Sequence, residues 1–269
     1  MCFMPPIFLI NLKRSPQRLA NSVMQFNKYK LPFTRIEAID GATLSQSEVN
    51  KHYCTTLNKK NYHYPLSKGQ IGCYLSHRKA WQAIVDQKLD YALIFEDDFT
   101  LTSDIHTAIK SINDLDIKWQ LIKLSAYKGR KRSIIFKKHL DNAYSLVVHK
   151  KLMSGCCATA ISYDGAKQLL AVTEKFGRPV DCDLQHIWQT GVPGFSLMPF
   201  PVTQCTEQES DIKMRSEKQV QKAFFKRKYQ QLIANINNKK ATSKFINEIH
   251  QVHFKQKRSL SSFLFEKLS

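Results

Sequence analysis

Residues 91–98 read Tyr91-Ala92-Leu93-Ile94-Phe95-Glu96-Asp97-Asp98: five apolar or aromatic side chains running straight into three carboxylates. An unbroken apolar run of this length fits a strand buried on both faces, as in the parallel sheet of an α/β domain. A low-dielectric core cannot hold three unpaired charges, so the strand must end where the acids begin. In open α/β sheets that end of a strand is where ligands bind. Adjacent carboxylates repel one another unless a cation sits among them, and carboxylate oxygens suit Mg²⁺ or Mn²⁺. A solvated acidic turn is the plainer reading of the same triplet.

Working outward, Ser67 and Gln70 have the spacing of a capping box, and Ile71, Tyr74, Leu75, Trp81 and Val85 follow with helical spacing. Ser76 and His77 lie midway along that helix, where a single histidine is more often structural than catalytic. Nearer the start, Pro6 to Leu12 is a β-rich run, Asn11-Leu12-Lys13-Arg14 its turn, and Ser15-Pro16 the cap and first position of a helix. Arg14 and Arg18 thus sit near a helix N-terminus, a place that suits phosphate as well as plain solvation. Phe33 to Ile39 predicts a short strand, Leu44 to Tyr53 a short helix, and Asn58 to Pro65 a loop.

Beyond the acids, a helix is expected over Ile105 to Leu115 and a strand over Trp119 to Leu124. Lys128 to Lys138 reads as a basic excursion or hairpin. Tyr144 to His149 and Cys157 to Ser162 are β-rich, and Ser154-Gly155 before the latter permits close backbone approach. Ser162 is placed to cap a helix reaching Phe176. Asp181 is placed to cap a shorter one, and Phe195 to Val202 reads as a proline-containing edge or terminal strand.

At 269 residues the chain suits one α/β domain with additions, divided here into residues 1–212 and a basic helical extension over 213–269. The formal charge of +19 calls for an anionic partner or surface, and it is concentrated near residues 128–138 and in the tail. In the tail, Phe224, Phe225 and Tyr229 alternate with Lys222, Lys226, Arg227 and Lys228. That mixture fits an interfacial helix on an anionic membrane, or aromatics packed back on the domain with solvated lysines. No apolar run approaches a membrane span, and Met1 to Ile10 reads as the lead-in to a strand and not as a signal peptide. Seven cysteines without C-x-x-C spacing indicate a reduced cytoplasmic chain with no disulfide framework or zinc site.

Taken together and in order, several of these segments resemble glycosyltransferase family 25, the lipooligosaccharide glycosyltransferases of Gram-negative bacteria and their collagen galactosyltransferase relatives. They are Phe8 to Leu12 with Arg14 and Arg18, Glu37 to Gly41, Gly69 to Cys73 with Leu75-Ser76-His77 and Trp81, and Phe95 to Asp98. Gly165 to Leu170, Pro179-Val180-Asp181, and Gln204 with Ser210-Asp211-Ile212 continue the series. Lys68-Gly69-Gln70 departs from the family's usual proline and glutamate, and Cys156-Cys157 stands where Gly-Tyr is common.

The resemblance implies an α/β fold of the GT-A, Rossmann-like type and an inverting transfer of a hexose, galactose favoured over glucose. The donor would be a UDP-sugar, the acceptor a hydroxyl of a lipid-linked lipooligosaccharide or lipopolysaccharide core, and the cofactor Mn²⁺ (or Mg²⁺). Asp98, then Glu96, are expected to ligate the metal. Asn11, Leu12, Arg14, Arg18, Ser76, His77, Glu96, Asp97 and Asp98 are expected to surround the donor. An inverting displacement needs a carboxylate base for the acceptor hydroxyl, for which Asp181 ranks first and Asp183 second, ahead of Glu207, Glu209 and Asp211. The enzyme is expected in the cytoplasm, peripheral on the inner membrane. Two other classes compete: a basic nucleic-acid-binding protein, for which no helix-turn-helix, zinc or stacked-aromatic signature is present, and a non-catalytic protein-interaction module.

Overall fold

The computed structural model describes residues 3–127, 129–140, 143–205 and 223–266, with side chains followed to residue 251. Eight strands form one mixed sheet: β1 (Ile7–Asn11), β2 (Thr34–Glu37), β3 (Tyr91–Glu96), β5 (Leu121–Lys123), β6 (Ile134–His139), β7 (Ser145–His149), β8 (Ala158–Ser162) and β9 (Gly194–Met198). Their spatial order is β2-β1-β3-β8-β5-β9-β7-β6, and the short strands β4 (Phe99–Leu101) and β10 (Val202–Gln204) pair apart from it. The helices are α1 (Pro16–Lys28), α2 (Gln46–His52), α3 (Thr55–Asn61), α4 (Lys68–Asp86), α5 (Ile105–Asn113), α6 (Tyr163–Val172), α7 (Val180–Leu184), α8 (Ile187–Thr190) and α9 (Phe224–Glu266).

The apolar run of β3 is explained by its place. Leu93 and Phe95, with Ile7 and Leu9 of β1, pack against Phe26 of α1 and Ile105, Ile109 and Ile112 of α5. Ala92 and Ile94, with Phe8 and Ile10, pack on the other face against Tyr74, Trp81 and Ile84 of α4. With both faces covered, every position is apolar whatever the direction of the neighbouring strands. β3 in fact runs parallel to β1 and antiparallel to β8, so the sheet is mixed where a parallel one was expected.

Strand direction gathers the site. β5 is antiparallel to β8 and therefore runs with β3. The last residues of β1, β3 and β5 (Asn11, Glu96 and Lys123) share one edge with the turn entering β8. The capping box of α4 forms as its spacing predicts, between Ser67 and Gln70. The start of α4 lies so close to residues 39–41 that a Cβ on Gly72 would fall 2.5 Å from the Ile39 carbonyl oxygen.

Some expectations change. The polar stretch from Asn58 is helical to Asn61, because Asn58 is buried and its amide donates to the carbonyls of Tyr64 (2.9 Å) and Gly177 (2.8 Å). Helix α6 stops at Val172, and Phe176 returns to pair with the backbone around Tyr53. β9 lies inside the sheet between β5 and β7 and not at an edge, since Pro199 and Pro201 fall after it ends. The basic stretch does form a hairpin, β6 with β7. Helix α9 buries Ala234, Asn238, Thr242 and Ile249 against the domain. No helix among the described residues is long and apolar enough to cross a membrane.

Candidate active site

The acids occupy the turn between β3 and β4, and each has a different environment. Asp97 is held in place: it accepts from Asn11 Nδ2 at 2.6 Å and pairs with the Arg18 guanidinium. Asn11 is itself fixed by its Oδ1, which accepts from Arg35 Nε at 3.0 Å, and by its Nδ2, which also donates to the Ser15 carbonyl. The Leu12 carbonyl closes the turn into α1 by accepting from Ser15 N–H at 2.9 Å. Glu96 lies 2.8 Å from His77 Nε2. Burial works to raise the Glu96 pKa, but the hydrogen bond and charge of His77, with Lys123 and Arg18, outweigh it and hold the carboxyl below its ordinary value. Asp98 accepts from Gln204 Nε2 at 2.6 Å through Oδ2 and lies 3.7 Å from Arg18. Its other oxygen, Oδ1, is buried with no hydrogen-bond partner among the described residues. Burial, then the neighbouring Glu96, push the Asp98 pKa up to about 6.

A carboxylate cluster with a buried, unpartnered oxygen fits a hard divalent cation, the donor set that Mn²⁺ or Mg²⁺ takes. Cys73, His77 and Glu96 also bring one ligand atom each to within 4.8 Å of one another, a grouping that cysteine spacing did not announce.

Asp181 lies on α7, against the turn that enters β8. It does not cap α7, whose N-cap position is Pro179; its Oδ2 accepts from the Gly155 N–H at 3.2 Å. Gly155 has φ +84°, and its carbonyl takes the ammonium of Lys123, which is 1% exposed. A Cβ on Gly155 would lie 3.4 Å from the Tyr127 ring. Burial raises the pKa of Tyr127, and the charges of both Asp181 and Glu96 raise it further. Cys73 and Cys156 both feel the charges of Glu96 and Asp181, so the two acids lie within electrostatic reach of the same pair of thiols.

Other sequence candidates lie elsewhere. Asp183 points into the core, paired with Arg178 Nε at 2.6 Å and accepting from the Tyr74 hydroxyl at 2.9 Å, so both oxygens are occupied. This corrects its ranking as second base, because a buried, doubly bonded carboxylate has no acceptor to meet. Arg14 pairs with Asp40 at 2.7 Å. Ser76 accepts from Ile39 N–H and donates to the Gly72 carbonyl, clamping α4 to the preceding loop. Glu207, Glu209 and Asp211 lie outside the described residues. Lys123, Tyr127 and Arg178 were missed. A lysine inside the apolar run Trp119–Leu124 was the available signal, since a buried ammonium needs a partner.

The fold is that of an α/β protein with a mixed sheet, whose carboxyl edge carries the acids that follow β3. The family described as "Glycosyltransferase family 25 (LPS biosynthesis protein)" matches residues 4–184, and the chain belongs to it. Procollagen galactosyltransferase 2 of Mus musculus is 31% identical over 186 residues, covering 65% of this chain and 29% of that one. "Probable inactive glycosyltransferase 25 family member 3" of Rattus norvegicus is 27% identical over 216 residues, 72% of this chain and 37% of the relative. The chain thus spans well under half the length of these relatives. A Drosophila β-1,4-galactosyltransferase 7 mutant, solved with manganese, UDP-Gal and xylobiose, overlaps 80% of this chain and 73% of its own at 10% identity and a TM-score of 0.37, too slight to bear on fold or function.

Proposed function

We propose that this chain is a GT-A-type, inverting, metal-dependent glycosyltransferase that moves a hexose, galactose favoured, from a UDP-sugar to a hydroxyl of a lipid-linked oligosaccharide. The observation that carries the reading is Asp98 at the end of β3, whose buried Oδ1 has no partner among the described residues, together with the partly exposed Asp181 held against the Gly155 N–H. Family membership alone is insufficient, because the family includes a relative described as probably inactive.

Asp98 and Glu96 would hold Mn²⁺ (or Mg²⁺), which when bound offsets the charge that develops on a nucleoside diphosphate leaving group. His77 fixes the orientation of Glu96, as outer-sphere partners of metal ligands do. Arg18 is tied to Asp97 by one nitrogen and keeps a buried Nε–H without an acceptor among the described residues, so it has a donor left for a diphosphate oxygen. Arg14, Asn11, Leu12 and Ser76 shape the donor side through the turn and the clamp on α4. Asp181 accepts the acceptor hydroxyl proton as that oxygen attacks the anomeric carbon; the bond to the diphosphate breaks on the opposite side. The partly exposed Tyr127 ring beside Gly155 offers a face on which a sugar can stack.

The lipopolysaccharide reading of the acceptor is supported by the family's description and by α9. Phe225 is 86% exposed and Tyr229 67%, so these aromatics do not pack back on the domain, and Lys226, Arg227 and Lys228 lie among them. Such a surface fits an anionic bilayer and a cytoplasmic enzyme peripheral on the inner membrane. The deciding experiment is a donor screen with purified protein, Mn²⁺, UDP-galactose, UDP-glucose and a soluble acceptor glycan, read as UDP release. Metal-dependent release that Asp181→Asn removes supports the reading. Release from no donor, with or without metal, refutes it.

A further inference from the structure

Past Asp181 the cleft wall becomes cationic. Arg130 and Arg132, from the basic stretch before β6, meet Lys151, which follows β7. Backbone pairing brings them together: Lys150 N–H donates to the Ser133 carbonyl at 2.8 Å, and the Arg132 guanidinium donates to the Leu152 carbonyl at 2.6 Å. Arg130 sits over the Tyr127 ring, 5.9 Å from its centroid. Arg132 and Lys151 both lie within electrostatic reach of Arg130 and of Asp181. Among the described residues, none of the three cations forms an ion pair with a carboxylate.

A surface lysine usually keeps its ammonium in water. Arg132 and Lys151 are instead partly buried, and burial, followed by their cationic neighbours, pulls both pKa values down. Ser154, between Lys151 and Gly155, is also buried, and its hydroxyl has no partner. Like charges crowded and half-desolvated beside a single acid cost the fold stability, a cost that a bound anion would relieve.

We propose that this wall is an anion subsite for the acceptor: the sugar that receives the hexose carries a phosphate or carboxylate near the reacting hydroxyl. The assignment rests on the reading of Asp181 as the acceptor base. The donor diphosphate belongs at the other wall, with Asp98 and Arg18, so the anion met here comes with the acceptor. Arg132 serves mainly to hold the Leu152 carbonyl, and Lys151 and Arg130 supply the charge.

Titration calorimetry on the full chain, without donor or metal, tests this independently of turnover. Galactose 6-phosphate and glucuronate are compared with galactose, glucose and inorganic phosphate. The charged sugars should bind at least about tenfold more tightly than the neutral ones, the effect of one charge-assisted contact. The double variant Lys151→Gln, Arg130→Gln should lose that preference and keep its affinity for UDP with Mn²⁺. Charged sugars that bind no better than neutral ones overturn the proposal. So does inorganic phosphate bound as tightly as the sugar phosphate, or a double variant that loses UDP. Because no step of the assay needs catalysis, an Asp181→Asn variant with full turnover would refute the base and leave the binding result to be judged alone.

Discussion

Asp181 and Asp183 are two residues apart on α7, yet their replacement should have opposite signatures. Asp183→Asn removes the negative partner of Arg178 in a pair whose side chains are each 9% exposed, leaving the guanidinium buried without its counter-charge. The Tyr74 hydroxyl, which joins α4 to α7 through Asp183 at 2.9 Å, keeps only a weaker neutral acceptor. Breaking one partner of a buried pair costs about 3–5 kcal/mol. For a chain of this size each kcal/mol moves Tm by about 2–4 °C, so the melting point should fall by roughly 6–20 °C. Asp181→Asn keeps the 3.2 Å bond to the Gly155 N–H, which an asparagine oxygen can still accept, and removes one charge from beside Arg132 and Lys151, so its Tm should fall far less than that of Asp183→Asn. Its kcat should fall at least about a hundredfold, the low end for a lost general base, with UDP affinity little changed. Differential scanning fluorimetry and UDP-release kinetics, both run well below the Asp183→Asn melting point, separate the two. The reasoning is refuted if Asp183→Asn melts with wild type while losing turnover, or if Asp181→Asn unfolds early and keeps its rate.

Asp98→Asn should abolish Mn²⁺-dependent transfer while the protein stays folded, and Mn²⁺ should no longer raise its Tm. In wild type, Asp98 sheds its proton only as pH rises through about 6, and a cation binds the ionised form, so the Mn²⁺-induced rise in Tm should be small at pH 5 and large at pH 7.5; equal shifts at both pH values would exclude Asp98 as a ligand. His77→Ala frees Glu96 from its 2.8 Å partner and should weaken Mn²⁺ affinity by about 10–100-fold, measured by the same melts against metal concentration. Phe225→Ser with Tyr229→Ser, both exposed on α9, should reduce co-sedimentation with anionic vesicles and leave Tm unchanged. Wild-type binding that ignores lipid charge or salt would remove the membrane role.

Local order left clear marks in the sequence. The β3 run and its acidic end, the Ser67–Gln70 box, the hairpin from the basic stretch and the helical tail are all properties of neighbouring residues: burial on both faces, hydrogen bonds within one turn, or periodicity along one element. Which acid is free to react is not such a property. Asp97 is occupied by an asparagine 86 positions earlier, and Asp183 by a tyrosine 109 positions earlier; Asp181 is left partly exposed against Gly155. Asp181 and Asp183 both stand among apolar neighbours in Val180-Asp181-Cys182-Asp183-Leu184, and no local rule separates them. Lys123 is buried because β5 sits in mid-sheet with the Gly155 carbonyl within reach, and β9 is central because β5 and β7 flank it. A carboxylate's state depends on the charges and donors that the chain brings to it from far away. Packing chooses those partners, so only the folded chain could divide neighbouring aspartates into one left partly exposed and one that holds the core together.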